Sequence, residues 1–301
     1  MHIDGYVALA GLIVGVAVGL TGMGGGSLMT PVLVLLFGVQ PLAAVSSDLV
    51  ASLIMKPIGA AVHIGQRTVR WPLVGWLALG SVPASFLGVV FLRRFGHGAT
   101  VQNVVQLALG SVLLLCVAAV LFRAAIERRR ERSALATGTS KSLHVRPLPT
   151  IAIGAGVGFV LGITSTGSGT LIIVTLLLLY PRLRGSQMVG TDLTQAIPMV
   201  GSAAVAHILF GDFRLGLTLS IITGSIPGVL IGSLISSRSA TRYIRAALCV
   251  VLLVSGLKLV NVPTVAIGVA LLAAVVVAGL ALIVPRLVQR REPSVPTLET
   301  G

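Results

Sequence analysis

Gly19-Leu-Thr-Gly-Met-Gly-Gly-Gly-Ser-Leu28 breaks a long apolar run with glycines and hydroxyls, and the chain does it again in Gly162-Ile-Thr-Ser-Thr-Gly-Ser-Gly-Thr-Leu171. Gly19 pairs with Gly162, Thr21 with Thr164, Gly24 with Gly167, Gly26 with Gly169 and Leu28 with Leu171. Hydrocarbon cannot solvate free N–H and C=O groups. A glycine-rich break inside an apolar segment therefore survives only where protein buries it or a wet cavity meets it. Two such breaks at matching places in two halves point to a transporter's substrate site.

The surrounding composition makes this a membrane chain. Of 301 residues, 55% are hydrophobic and only 10% charged, against about a quarter charged in a soluble domain. Mean hydropathy is +1.03. The formal net charge of +14 would suit nucleic acid, but the arginines sit between apolar segments, where they set topology. Cys116 and Cys249 each lie in an apolar run and read as small hydrophobes. The N-terminal Met-His-Ile-Asp lacks the basic region of a signal peptide, so the first apolar run is expected to stay.

The repeat extends well beyond the breaks. Gly11, Gly15 and Gly19 recur 143 residues later as Gly154, Gly158 and Gly162. From Asp48 the offset is 144: Asp48 matches Asp192, Met55 Met199, His63 His207, Arg70 Arg214, Ser81 Ser225, Pro83 Pro227 and Gly88 Gly232. This order implies an internal duplication. Each half offers five elements, near 6–22, 27–37, 43–65, 72–92 and 101–122, then 150–165, 170–180, 187–210, 215–236 and 244–260. The second of each five is short, rising ~16 Å as a helix against a ~30 Å core. The first two elements of a half are thus a re-entrant hairpin or a short tilted pair, an even number of crossings. Three full helices follow, so the halves are expected to be inverted. The expected division is 1–122 as first repeat, 123–149 as basic loop, 150–260 as second repeat and 261–301 as an extra helix, 264–284, with a basic tail.

Arginines orient this scheme. Arg123, Arg128, Arg129, Arg130, Arg132, Lys141 and Arg146 put 123–149 in the cytoplasm. Arg67, Arg70, Arg182, Arg184, Arg238, Arg242, Arg245, Arg286, Arg290 and Arg291 then also fall inside; Arg93 and Arg94 fall outside, against the rule. The expected location is the inner membrane, with the C-terminus cytoplasmic. Gly11-xxx-Gly15-xxx-Gly19 and its copy are small-residue ladders that suit close helix packing.

Chemistry centres on the breaks. The candidate substrate-binding residues are Thr21, Gly24, Gly25, Gly26 and Ser27 in the first, and Thr164, Thr166, Gly167, Ser168, Gly169 and Thr170 in the second, with Ser165 adding a hydroxyl. Helices starting near Ser27 and Thr170 present N–H groups at a partly positive end, which suits an anion. The plainer alternative is a tight turn between packed helices. Neither copy fits G-x-G-x-x-G after a strand, so a dinucleotide fold is not expected. Asp48 and Asp192 sit about one turn into their elements. They read either as functional intramembrane carboxylates, able to carry protons, or as N-caps. Lys56 precedes Pro57 and has Val200 as its counterpart; a buried lysine can pair with an anion, snorkel or neutralise Asp48. His63 and His207 read as interfacial or gating residues, with proton relay the minor alternative. Gln195 is a further polar candidate.

These motifs together resemble the TauE/SafE family, also called the toluene-sulfonate uptake permeases. The resemblance rests on Gly22-Met-Gly-Gly-Gly-Ser-Leu28 followed by Pro31, on Ser47-Asp48-Leu49, on the turn from His63 to Trp71, and on Gly80-Ser-Val-Pro83 with Gly88. It covers roughly residues 6–260. It implies transport of small sulfur-containing anions such as sulfite, sulfonates and sulfoacetate. The long central loop and the eleventh element depart from the smaller family pattern. The fold class expected is an all-α polytopic membrane protein of two inverted repeats, working by alternating access. An anion channel, or an assembly subunit without transport, are the alternatives. No enzyme, metal, cofactor or nucleic acid is expected; the expected partners are a small anion, the bilayer, protons as a possible coupling ion, and a second copy in a homo-oligomer.

Overall fold

The computed structural model describes residues 4–21, 25–96, 98–133, 145–181, 183, 185–235, 238–263, 265–266 and 268. They form α1 (Gly5–Thr21), α2 (Gly26–Leu36), α3 (Pro41–Gly65), α4 (Trp71–Leu92, continued by a 3-10 turn at Arg93–Phe95) and α5 (Ala99–Ser133). Then come α6 (Pro147–Thr164), α7 (Ser168–Leu179), α8 (Gly185–Phe210), α9 (Leu215–Ile235) and α10 (Arg238–Leu259). The chain divides into two compact units, Met1–Val260 and Asn261–Gly301. The helices above all lie in the first. In the second, the expected eleventh element lies almost wholly outside the described residues.

Among the described residues, six stretches are long and apolar enough to cross a membrane: Pro41–Gly65, Trp71–Phe95, Ala99–Ile126, Pro147–Thr164, Gly185–Phe210 and Leu215–Gly232. Large apolar side chains such as Leu9, Ile13, Leu79, Leu87, Leu115 and Leu148 face outward. In water such a surface would drive association; in lipid it is the expected exterior. α2 and α7 are short, as expected. Proline starts α4 and α6 within their first two positions, where no N–H is needed. Pro31, Pro57, Pro83, Pro198 and Pro227 lie inside helices, which membrane bundles tolerate because neighbours re-satisfy the backbone. Beside Pro83, the Val82 carbonyl accepts from Ser85 in its own helix and from Ser202 in α8.

The glycine ladders are packing devices. Gly11 and Gly15 of α1 face backbone of α9, where an added Cβ would come 3.0 Å from the Ile221 carbonyl oxygen and 2.6 Å from that of Ser225. Gly154, Gly158 and Gly162 of α6 face the carbonyls of Leu77, Ser81 and Ser85 in α4, with no room for a Cβ. The partners are repeat mates: Gly15 meets Ser225 while Gly158 meets Ser81. Thus α1 of the first half packs on α9 of the second, and α6 of the second packs on α4 of the first. The central pair, α3 and α8, runs antiparallel. Ser46 near the start of α3 bonds His207 near the end of α8, and Gly190 near the start of α8 lies against His63 near the end of α3. Repeat mates exchange here too: Ser47 donates to the Arg214 carbonyl and Thr191 accepts from the Arg70 N–H.

Two expectations change. α5 does not end near 122 but runs to Ser133, because Ala, Glu and Arg are good helix formers and no Gly or Pro interrupts them. The basic segment therefore begins as helix; residues 134–144 lie outside the described set. Asp48 and Asp192 are not N-caps. α3 begins at Pro41 and α8 at Gly185, which puts both carboxylates about two turns in, where the helix itself satisfies the backbone N–H.

Candidate functional site

The two glycine-rich breaks meet. α6 ends on Ser165 in the left-handed conformation (φ 56°), and Gly167 follows at φ 102°. This returns the chain at once into α7 and turns the Ser165 carbonyl toward the first break. That carbonyl presses on Gly26, where a Cβ would overlap it and lie 3.0 Å from Asp48 Oδ2. Thr166 Oγ1 donates to the Gly26 carbonyl at 3.0 Å. Neither α2 nor α7 has a side-chain cap; their N-cap residues are Gly25 and Gly167. The Leu28 and Met29 N–H groups close on the Gly25 carbonyl and the Leu171 N–H on that of Gly167, so only the N–H groups that precede them in each first turn look to groups outside the helix.

Polar side chains converge on this contact. Thr30 Oγ1 donates to Asp48 Oδ2 at 3.0 Å and so accepts from Ser165 Oγ, 2.7 Å away. Lys56 Nζ donates to Ser168 Oγ, at the first residue of α7, at 2.9 Å. Lys56 also lies within electrostatic reach of both Asp192 and Asp48. All of these side chains are buried. Asp48 Oδ1 and Asp192 Oδ1 have no hydrogen-bond partner among the described residues. Hydroxyl donors, one ammonium and two carboxylates therefore share one buried locus between α2, α3, α7 and α8. Its donors suit an oxyanion, while its carboxylates suit a proton or a cation.

The other candidates fall around it. Ser27 is buried in the first turn of α2, and Gly25 lies beside Met55 and Ser52. Thr164 turns back on its own helix, donating to the Val160 carbonyl and accepting from the Thr166 N–H. Gly169 is buried in the first turn of α7, as is Thr170, whose hydroxyl engages Cys116. Gln195 points away from the locus toward α4, donating to Ser81, and its Oε1 is buried without a partner among the described residues. Thr21 ends α1, but its side chain, like Gly24, lies outside the described residues.

The histidines part company. His63 is partly exposed at the end of α3 and bonds Thr68. His207 is fully buried. Its Nε2 meets the Gly162 carbonyl and its Nδ1 meets Ser46 Oγ, each at 2.8 Å. A carbonyl only accepts, so Nε2 carries a proton. His207 thus ties the end of α6, just before the second break, to the start of α3. The antiparallel pairing of α3 and α8 covers it, which position in the sequence does not reveal. The reading of the breaks also passed over Thr30. Its signal was present: three residues after Ser27, it shares that residue's helix face.

The family model for "Sulfite exporter TauE/SafE" matches residues 7–259. The chain is 39% identical over 255 residues to the "Probable membrane transporter protein YjnA" of Bacillus subtilis (strain 168), covering 84% of this chain and 98% of that protein. No solved structure matches.

Proposed function

Since the chain belongs to the sulfite exporter TauE/SafE family and is a multi-pass membrane transporter, we propose that it carries small sulfur-containing oxyanions through a site where its two glycine-rich breaks meet. One observation carries this reading: Lys56 meets the Ser168 hydroxyl at the start of α7, where the Ser165 and Thr166 hydroxyls tie the two breaks together. A sulfite or sulfonate group offers several acceptor oxygens on one centre, and convergent hydroxyl, ammonium and helix N-terminal N–H donors match it. Lys56 has no repeat mate, yet it reaches the start of α7, so it acts on the anion together with the glycines. The substrate class is the one in the family's name, and the donor set is consistent with it.

The mechanism is alternating access by two repeats inverted about an axis in the membrane plane. An antiparallel pair of mates, α3 and α8, with exchanged contacts in α1–α9 and α6–α4, supports a two-fold relation across the helix direction. Rocking one repeat against the other would expose the breaks to each side in turn. Residues 123–149 and the C-terminus then both lie in the cytoplasm of a cell whose inner membrane holds the protein. Reporter fusions after Ile126 and after Arg291 should both report a cytoplasmic position; either one on the periplasmic side removes the topology.

Uptake into liposomes containing the purified protein tests the function. Sulfite, sulfate, ethanesulfonate and chloride are compared over a range of concentrations. Saturable flux of sulfite or the sulfonate above that of chloride is expected. Flux that rises linearly and favours chloride would mean a channel instead.

A further inference from the structure

We infer that the site takes up one proton with a singly charged substrate, and that Asp192, not Asp48, is the carboxyl that receives it. The inference rests on the anion-transport reading above. The buried charged side chains among the described residues are Asp48, Lys56 and Asp192, with His207 the buried histidine. The elements packed on α3 and α8 add nothing to offset them. Helices α2, α4, α6, α7 and α9 contain no Asp, Glu, Lys, Arg or His. α5 brings Cys116, which is engaged with Thr170, and its charged residues begin only at Arg123, toward its C-terminal end. His63 stands with Thr68 at the exposed end of α3, and both nitrogens of His207 are held by Ser46 and the Gly162 carbonyl.

Charge then decides the loading. Fully ionised, two carboxylates and one ammonium sum to a single negative charge, which repels an anion. With one proton held, on Asp48 Oδ1, the locus is neutral and the ionised Asp192 faces Lys56. A monoanion entering from there makes it negative again, and uncompensated charge in a low-dielectric interior costs several kcal/mol. A second proton, on Asp192, restores neutrality. An occluded site loaded with a monoanion is thus neutral only if the anion arrives with one proton.

The two carboxyls are not equivalent. Asp48 accepts from Thr30, which in turn accepts from Ser165. By the repeat offset the sequence mates of those donors are Ile173 and Gly22, neither of which has a hydroxyl. Asp192 Oδ1 is buried with no partner among the described residues. A carboxyl that lacks donors is the one suited to supply its own O–H. The hydroxyl pair was retained on one side of the duplication only, and it marks Asp48 as the fixed acceptor and Asp192 as the exchanging group.

The test counts protons. The full-length protein is titrated calorimetrically with sulfite, sulfate, ethanesulfonate and chloride in two buffers of different ionisation enthalpy, correcting for each anion's own protonation. About one proton should be taken up per ethanesulfonate bound by the wild type and by Asp48→Asn, and none by Asp192→Asn. Binding without proton uptake in the wild type overturns the inference, as does uptake that persists in Asp192→Asn. Should Asp192→Asn not fold, Asp48→Asn decides the assignment, because it loses the uptake if Asp48 is the acceptor. Heat from none of the four anions would instead overturn the anion-transport reading, a separate result.

Discussion

Lys56→Gln should lower uptake of the transported anion by about two orders of magnitude at substrate concentrations below saturation. The ammonium is buried, donates to Ser168 at the start of α7, and faces two carboxylates. Losing a buried hydrogen bond to a charged group costs roughly 1.5–3 kcal/mol, and about 1.4 kcal/mol is tenfold in an equilibrium constant. Glutamine is uncharged and one bond shorter, so the bond to Ser168 and the positive charge are lost together. Removing the lysine leaves Asp48 and Asp192 without their cation, and breaking a buried charge pair destabilises by about 3–5 kcal/mol. The double variant Lys56→Gln with Asp192→Asn restores the balance of charge. It should recover the melting temperature and still fail to transport. Wild-type uptake by Lys56→Gln, at equal protein level, would take the lysine out of the anion's path.

The second large effect is expected at Gly26. A Cβ there overlaps the Ser165 carbonyl, which is backbone and cannot rotate away, and approaches Asp48 Oδ2 to 3.0 Å. Gly26→Ala must therefore push the two breaks apart. Overpacking of this kind costs about 1–3 kcal/mol or more, and here it also moves the Thr166 hydroxyl off the Gly26 carbonyl. Anion affinity should fall by more than tenfold. Gly25→Ala is the contrasting case. Its Cβ would meet the mobile tip of Met55 at 3.2 Å, so the protein should insert and fold, and weakened binding there reports on the ligand's approach to the chain. Gly11→Ala and Gly154→Ala, in the ladders, should lower thermal stability with little change in affinity per folded molecule. If Gly26→Ala only melts earlier and binds normally, the contact between the breaks is structural and the anion sits elsewhere in the bundle.

Much of this architecture was legible because a bilayer leaves the chain few choices. Runs such as 72–92 and 187–210 have nowhere to be but in helices, since every backbone group must bond internally. The predicted bounds of those elements lie within two residues of α4 and α8. The duplication was legible because glycines and prolines hold their spacing, and the ladders because only small residues allow backbones to touch. Where α5 ends was less legible, since a basic segment can be helix in water as readily as loop.

The sequence by itself determined the membrane class, the repeat, the two broken segments and the presence of Lys56, Asp48 and Asp192 in the third element of each half. It could not decide what each of these touches. That Lys56 reaches Ser168, that Asp48 keeps the Thr30 donor while Asp192 has no equivalent, and that His207 is sealed between Ser46 and Gly162 depend on contacts between residues more than a hundred positions apart or on adjacent helices. The physical reason is that helix periodicity fixes which face a side chain occupies, while the crossing of α3 with α8 and the meeting of the left-handed turn at Ser165 and Gly167 with Gly26 fix what lies opposite.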